Sequence, residues 1–225
     1  MAESPTHVVT IDGPAASGKS STAQWVADTL EWLHIDSGSL YRAATWARQQ
    51  LPGAPEEWTD ASVLSAASDM TLRSGKSVFV PVKGDTELGD AIRSVAVTAD
   101  VSRVARMPAV RAWVNDRVRE AAQRRDVVVD GRDMGTVVFP DAPLKIWLVA
   151  DPWERARRRL TQRLSRRPTD EEIAAETDEL VHRDARDATQ TVQAKDAVLV
   201  DTTYLTQPEQ VERIVALARA VAQKR

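Results

Sequence analysis

The sequence predicts an α/β fold of three layers, with helices on both faces of a five-stranded parallel sheet. Two observations carry that expectation. Short runs rich in Val and Ile recur along the 225 residues, nearly continuous in apolar side chains. Strands buried on both faces have this pattern. Between most of these runs lie segments with apolar residues at helical spacing, the alternation expected of βαβ crossovers.

The strand-like runs are HVVTID (7–12), LHID (33–36), VVVD (127–130), LKIWLVA (144–150) and AVLVDTT (197–203). After the first of them, Ala23, Val26, Ala27 and Leu30 share one helical face. Val110, Trp113, Val114 and Val118 do the same beyond a break at Pro108, and Val211, Ile214, Val215 and Ala218 follow from Pro208. Two segments interrupt the alternation. Residues 40–126 are too many for one crossover and include a hairpin signal, TLRSGKSVFVPVKGD, with Gly75 and Lys76 at its turn. Residues 153–170 hold seven arginines and two acids. Arg155, Arg159 and Arg163, four residues apart, give the helix after Pro152 a basic face, and Pro168 is expected to cut that helix. The expected organisation is one domain: a core of residues 1–36, 118–152 and 171–225, an insert at 37–117 and a short mobile lid at 153–170.

Composition narrows the function classes. The absence of Cys excludes disulfides and Cys-ligated metals and favours an intracellular, cytoplasmic home. Lys plus Arg is 30 against 33 acids, and a net charge of −3 gives no global reason to expect nucleic acid or an acidic membrane surface. No apolar run approaches the ~20 residues of a membrane span. The opening MAESPTHVVT carries an acid and no long apolar stretch, which argues against a secretory leader. His7, His34 and His182 are scattered and read as structural, and Trp25, Trp46, Trp113 and Trp147 lie in helix or strand patterns, not as base-stacking platforms.

Chemistry enters where HVVTID runs into Gly13-Pro14-Ala15-Ala16-Ser17-Gly18-Lys19-Ser20-Ser21. This is G-x-x-x-x-G-K-[ST] between a strand and a helix, the context that motif requires. Backbone N–H groups and the helix N-terminus surround a β-phosphate with partial positive charge. Lys19 would reach the β- and γ-phosphates, and the Ser20 hydroxyl would ligate Mg²⁺. Asp130, ending VVVD, sits where a carboxylate either holds Mg²⁺ through water or fixes the loop that follows. The expected fold is therefore that of the P-loop NTPases, with ATP and Mg²⁺ as cofactors.

The second substrate needs its own argument. The guanine-reading N-K-x-D of GTPases does not occur. A kinase must hold a second anion in line with the γ-phosphate, which calls for arginines on separate elements. Arg42 follows the second strand, Arg132 the third, and Arg183 and Arg186 precede the last. In an open parallel sheet ligands bind beyond the carboxyl ends of the strands, so Arg42 and Arg132 should converge on the phosphate loop.

Residues 7 to about 220 resemble the bacterial cytidylate kinase family, long-form nucleoside monophosphate kinases with an enlarged monophosphate-binding insert. The strings that carry the resemblance are IDGPAASGKSS, IDSGSLYR, AIRS, SRVARMPAVR, VVVDGRDMGTVVFPDAPLKIWLVA, ERARRR, RDARD and AVLVDTT. It implies transfer of phosphate from ATP to CMP or dCMP by a monomer that binds neither nucleic acid nor membrane. It further implies that Arg42 and Arg132 clamp the acceptor phosphate with Ser37 and Tyr41 nearby, and that Ser102, Arg111 and Asp133 read cytosine. Arg183 and Asp187 would hold the sugar. Arg158 and Arg159 are the lid candidates for the transferred phosphate, beside Lys19 and Arg132. The family pattern Arg-Asp-x-x-Arg becomes Arg186-Asp187-Ala188-Thr189-Gln190 here, so Gln190 lacks the guanidinium fork. The residues alone leave two alternatives open: a kinase for UMP or another small acceptor, and a module in which ATP sets the lid while arginines hold RNA.

Overall fold

A computed structural model describes residues 7–223. Residues 1–6, most of the stretch read as lacking a leader, and residues 224–225 lie outside the described residues. The chain begins with β1 (His7–Asp12), α1 (Lys19–Leu30), β2 (Leu33–Asp36) and α2 (Ser37–Gln49). Next come α3 (Asp60–Ala66), the strands β3 (Met70–Ser74), β4 (Phe79–Lys83) and β5 (Thr86–Glu87), then α4 (Val95–Val104) and α5 (Pro108–Ala122). The remainder is β6 (Asp126–Gly131), β7 (Leu144–Val149), α6 (Pro152–Leu164), α7 (Asp170–Asp187), β8 (Val198–Asp201) and α8 (Gln207–Ala222).

Five strands make one parallel sheet in the order β2-β6-β1-β7-β8. Alternation within the strands builds a core on each face. Val8, Val127 and Val129 join Ile35, Leu40, Val110, Val114 and Val118 on one side. Val9, Ile11, Val128, Ile146 and Leu148 join Val26, Ile214 and Val215 on the other. The sheet is thus buried between α2 and α5 on one face and α1 and α8 on the other, the three layers that the sequence predicts. Because β1 is central, the loop after it opens at the middle of the sheet's carboxyl edge.

The expected hairpin forms as β3 and β4, paired antiparallel from Met70↔Lys83 to Ser74↔Phe79, with β5 as a third strand. Gly75 N–H donates to Val78 O at 2.9 Å across its turn, and His34 N–H donates to Ser77 O at 2.9 Å, docking the turn on β2.

Two local expectations change. The last strand covers only four residues and lies at the sheet edge. Val198 and Leu199, which point to opposite faces, are both exposed at this edge, so this run is not buried on both faces. The arginine-rich helix ends at Leu164, with Ser165 in a left-handed conformation (φ 54°). Pro168 does not cut it. It lies in the connection just before Thr169, whose side chain caps α7 with Glu172 in a capping box.

Leu148 is fully buried on β7 directly behind the turn at Gly13. Leu148→Ala should cost roughly 2–5 kcal/mol, read as a lower urea midpoint at unchanged slope.

Candidate active site

The phosphate loop is shaped by close packing at its root. A Cβ on Gly13 would lie 2.1 Å from the Leu148 carbonyl oxygen, so this position admits only glycine. Gly18, at φ 87°, turns the chain into α1. The carboxylate of Asp12 accepts from the N–H groups of Met134 (2.9 Å) and Gly135 (2.8 Å), tying the loop's root to the π-helical turn after β6. Burial still pushes the Asp12 pKa up to about 6.

Above this root, positive charge is crowded. Lys19 Nζ donates to Pro14 O at 2.9 Å, and among the described residues no carboxylate pairs with it directly. Burial, then the nearby Arg132 guanidinium, pushes its pKa down to about 7. Burial and Arg132 likewise bring Arg183 down to about 10, and burial lowers Arg42, with Arg93, Arg159 and Arg132 adding repulsion. A phosphate entering here would relieve each of these groups.

Asp130 closes one wall. Ser20 Oγ donates to its Oδ2 at 2.6 Å, and His34 Nε2 lies 2.7 Å from its Oδ1. Burial opposes the charge, but the bonds from His34 and Ser20 and the charge of His34 prevail, and the carboxyl group titrates below its usual range. Ser37 Oγ donates to the Asp130 backbone oxygen at 2.8 Å.

The same cleft, about 1600 Å³, continues past α2 to the candidates for the second substrate. Arg132 Nη1 donates to Gly13 O at 3.0 Å and Nη2 lies 3.6 Å from Asp187, which also meets Arg183 Nε at 3.7 Å. Arg42 donates to Thr98 Oγ1 at 3.0 Å. Further out, Arg111 forms a tight ion pair with Asp133 and donates to Ala105 O (3.0 Å) and Gln190 Oε1 (3.3 Å). Its guanidinium lies 5.9 Å from the centre of the Tyr41 ring, whose buried hydroxyl has no partner among the described residues. Burial raises the Asp133 carboxyl pKa against the pull of Arg111. Ser102 lines the same space. Arg42, Arg111, Arg132, Asp133, Arg183 and Asp187 are thus brought to one cleft with Lys19.

The lid arginines divide. Arg155 is buried and turned inward, donating to Ala15 O and Asp184 at 2.7 Å each, so it is not part of an open basic face. Arg158 is held by Glu154 and donates to the backbone oxygens of Thr202 (2.6 Å) and Thr203 (3.2 Å), beyond β8. Arg159 and Arg163 share Glu176 of α7, at 3.1 and 3.2 Å. Both Arg158 and Arg159 line the cleft, whereas no Trp does among the described residues.

Sequence reading missed three contributors. His34 reads as structural from its scattered position, yet it is 4% exposed against Asp130. Its only signal is an imidazole in a buried strand two residues before Asp36. Asp12, the last residue of HVVTID, was readable as a polar interruption at a strand end. Arg155 gave no signal, because its spacing matches that of exposed arginines.

Comparison with known proteins decides the family. The sequence model described as Cytidylate kinase matches residues 9–220. The chain belongs to the cytidylate kinase family. A curated cytidylate kinase from Salinibacter ruber is 40% identical over 227 residues, covering 95% of this chain and 97% of the relative. A bifunctional pantoate ligase/cytidylate kinase from a Synechococcus species is 38% identical over 226 residues, with 96% of this chain but only 41% of that longer protein covered. The chain therefore spans less than half of such two-activity relatives. A solved structure of an uncharacterized protein from Eubacterium ventriosum superposes with a TM-score of 0.50 at 10% identity, covering 96% of this chain and 99% of that one, a likeness in fold alone.

The close approach of Leu148 O to Gly13 makes glycine there a condition for the shape of the phosphate loop. Gly13→Ala should push the loop off β7 and lower kcat/KM for ATP by at least about 100-fold, in line with the cost of misplacing reacting groups by ~1 Å. Parent-like kinetics in this variant would show that the loop tolerates the shift.

Proposed function

We propose that this chain transfers the terminal phosphoryl group of ATP to CMP and dCMP, giving ADP with CDP or dCDP, as a cytoplasmic monomer. One observation carries the reading: the phosphate loop and the Arg111–Asp133 pair line one cationic cleft together with Arg42, Arg132 and Arg183. Among the described residues no helix is long and apolar enough to cross a membrane.

In this reading Gly13 to Ser21 cradle the donor phosphates, and Lys19 neutralises the β/γ oxygens. Arg42 and Arg132, with Ser37 and Tyr41 beside them, hold the acceptor phosphate in line. Arg183 and Asp187 hold the sugar. Charge on the transferring group grows across three equatorial oxygens, so fixed cations placed around it stabilise the transition state more than the ground state. No covalent intermediate on the protein is needed. Residues 37–117 carry the acceptor side, and residues 153–170 close over the donor, excluding water that would otherwise take the phosphoryl group. Arg159 supplies charge there, and Arg158, through Thr202 and Thr203, shapes the donor side.

The oxygens of Ser20 and Asp130 are hard donors set 2.6 Å apart beside the phosphate loop, a set suited to Mg²⁺. When held there, the ion would supply positive charge that offsets the negative charge developing during phosphoryl transfer.

Cytosine presents an N4 amino donor beside N3 and O2 acceptors. Asp133 can accept from N4, while Arg111 and Ser102 cover the acceptors. Uracil offers a carbonyl at the same place, which a carboxylate repels. An ADP-release assay across CMP, dCMP, UMP and AMP tests the reading: CMP and dCMP should drive multiple turnovers far faster than UMP or AMP. Turnover driven equally well by UMP, or salt-sensitive RNA binding without CMP-driven ADP release, would reverse it. Asp133→Ala should reduce the CMP-over-UMP preference by roughly 10- to 100-fold, the effect of one lost buried hydrogen bond to a charged group.

Gln190 lies at the cleft wall against Arg111. Gln190→Arg would supply a planar cation toward the acceptor and should lower the KM for CMP severalfold with little change in kcat. An unaltered KM would place residue 190 outside acceptor binding.

A further inference from the structure

Asp130 is 2% exposed, and both of its carboxylate oxygens are engaged, Oδ2 by Ser20 and Oδ1 by His34. The other ring nitrogen of His34, Nδ1, lies 3.0 Å from Gln24 Oε1 on α1. Gln24 Nε2 in turn donates to Ser77 Oγ (3.3 Å) in the hairpin turn and to Asp28 Oδ1 (3.0 Å). The backbone N–H of His34 reaches Ser77 O directly. One buried imidazole therefore joins the end of β6, the helix behind the phosphate loop and the turn of the acceptor-side hairpin. Packing alone does not account for it. An aliphatic residue in the second strand would fill the space without the desolvation cost of a polar ring. Both side-chain bonds of His34 are made to polar groups beside the phosphate loop rather than to the core.

We propose that His34 is a positioning residue for phosphoryl transfer. It orients the Asp130 carboxylate so that Oδ2 faces Ser20, and through Gln24 and Ser77 it joins that alignment to the acceptor-side hairpin. The physical case is that of an outer partner which fixes the rotamer of a metal-side oxygen group. Such partners typically change metal affinity or activity 10- to 100-fold when removed. Without the ring, Oδ1 is a buried charged oxygen lacking a donor. The carboxylate then rotates toward another N–H or O–H, and the Ser20 hydroxyl loses its fixed acceptor.

The inference rests on the kinase reading, but its main test does not need turnover with CMP. Mn²⁺ binding to the full chain in the presence of ADP, followed by electron paramagnetic resonance, gives the affinity of the metal site to which the Ser20 and Asp130 oxygens contribute. His34→Leu should weaken that Mn²⁺ affinity about 10- to 100-fold and raise the Mg²⁺ concentration for half-maximal rate in parallel. His34→Gln, whose amide N–H can reach Asp130, should recover most of the loss; a leucine that merely left a packing defect would not be rescued in this way. Parent-like Mn²⁺ affinity in a folded His34→Leu overturns the proposal. Should the leucine variant fail to fold, Gln24→Leu decides. Residue 24 is half-buried on α1, and removing its amide frees the Nδ1 end of the ring. A severalfold loss of Mn²⁺ affinity supports the positioning role, and parent-like affinity ends it.

Discussion

Like charge held close together and out of water is the constraint around which this protein is built. Lys19, Arg42, Arg132 and Arg183 share a cleft, and three of them lose proton affinity to burial and to one another. The acids that reach them are few and already divided. Asp187 serves two arginines, and Asp130 is engaged by Ser20 and His34. What the site lacks is negative charge in the amount that phosphate groups bring. Each surrounding element answers to this: the end of β6 and the turn after it deliver Asp130 and Arg132, α2 delivers Ser37 and Arg42, and α7 delivers Arg183, Asp184 and Asp187 along one side.

Much of this arrangement was legible because it is local. A phosphate loop is a contiguous string whose geometry follows from its glycines, and the strands before and after it declare themselves by Val and Ile content. Arg132 is readable from its place just past a strand, since strand ends in a parallel sheet share one edge, whereas Asp133 comes from the family resemblance. The helices α1, α5 and α8 presented the apolar faces that the spacing indicates.

What stayed hidden depends on partners far away in sequence. Nothing near residue 34 says that Asp130 will lie against it, 96 positions later. Arg155 carries the same spacing as Arg159 and Arg163, and only the fold directs it to Ala15 and Asp184 while the others reach Glu176. The order of strands is equally invisible to local pattern. For that reason the final run of apolar residues suggested an interior strand, although the chain lays it at a margin.

That margin has a consequence for how the polypeptide behaves before it is finished. The outer edge of β8, a strand on which Val198 and Leu199 are exposed, is a template for backbone pairing with another copy. Here the strand is only four residues long, with Lys195 and Asp196 ahead of it and Asp201 at its end. Such flanking charges act as gatekeepers, so the native molecule offers little length for intermolecular zippering. In the folded chain α8 packs against this part of the sheet, so conditions that expose β8 without it raise the risk of pairing between copies.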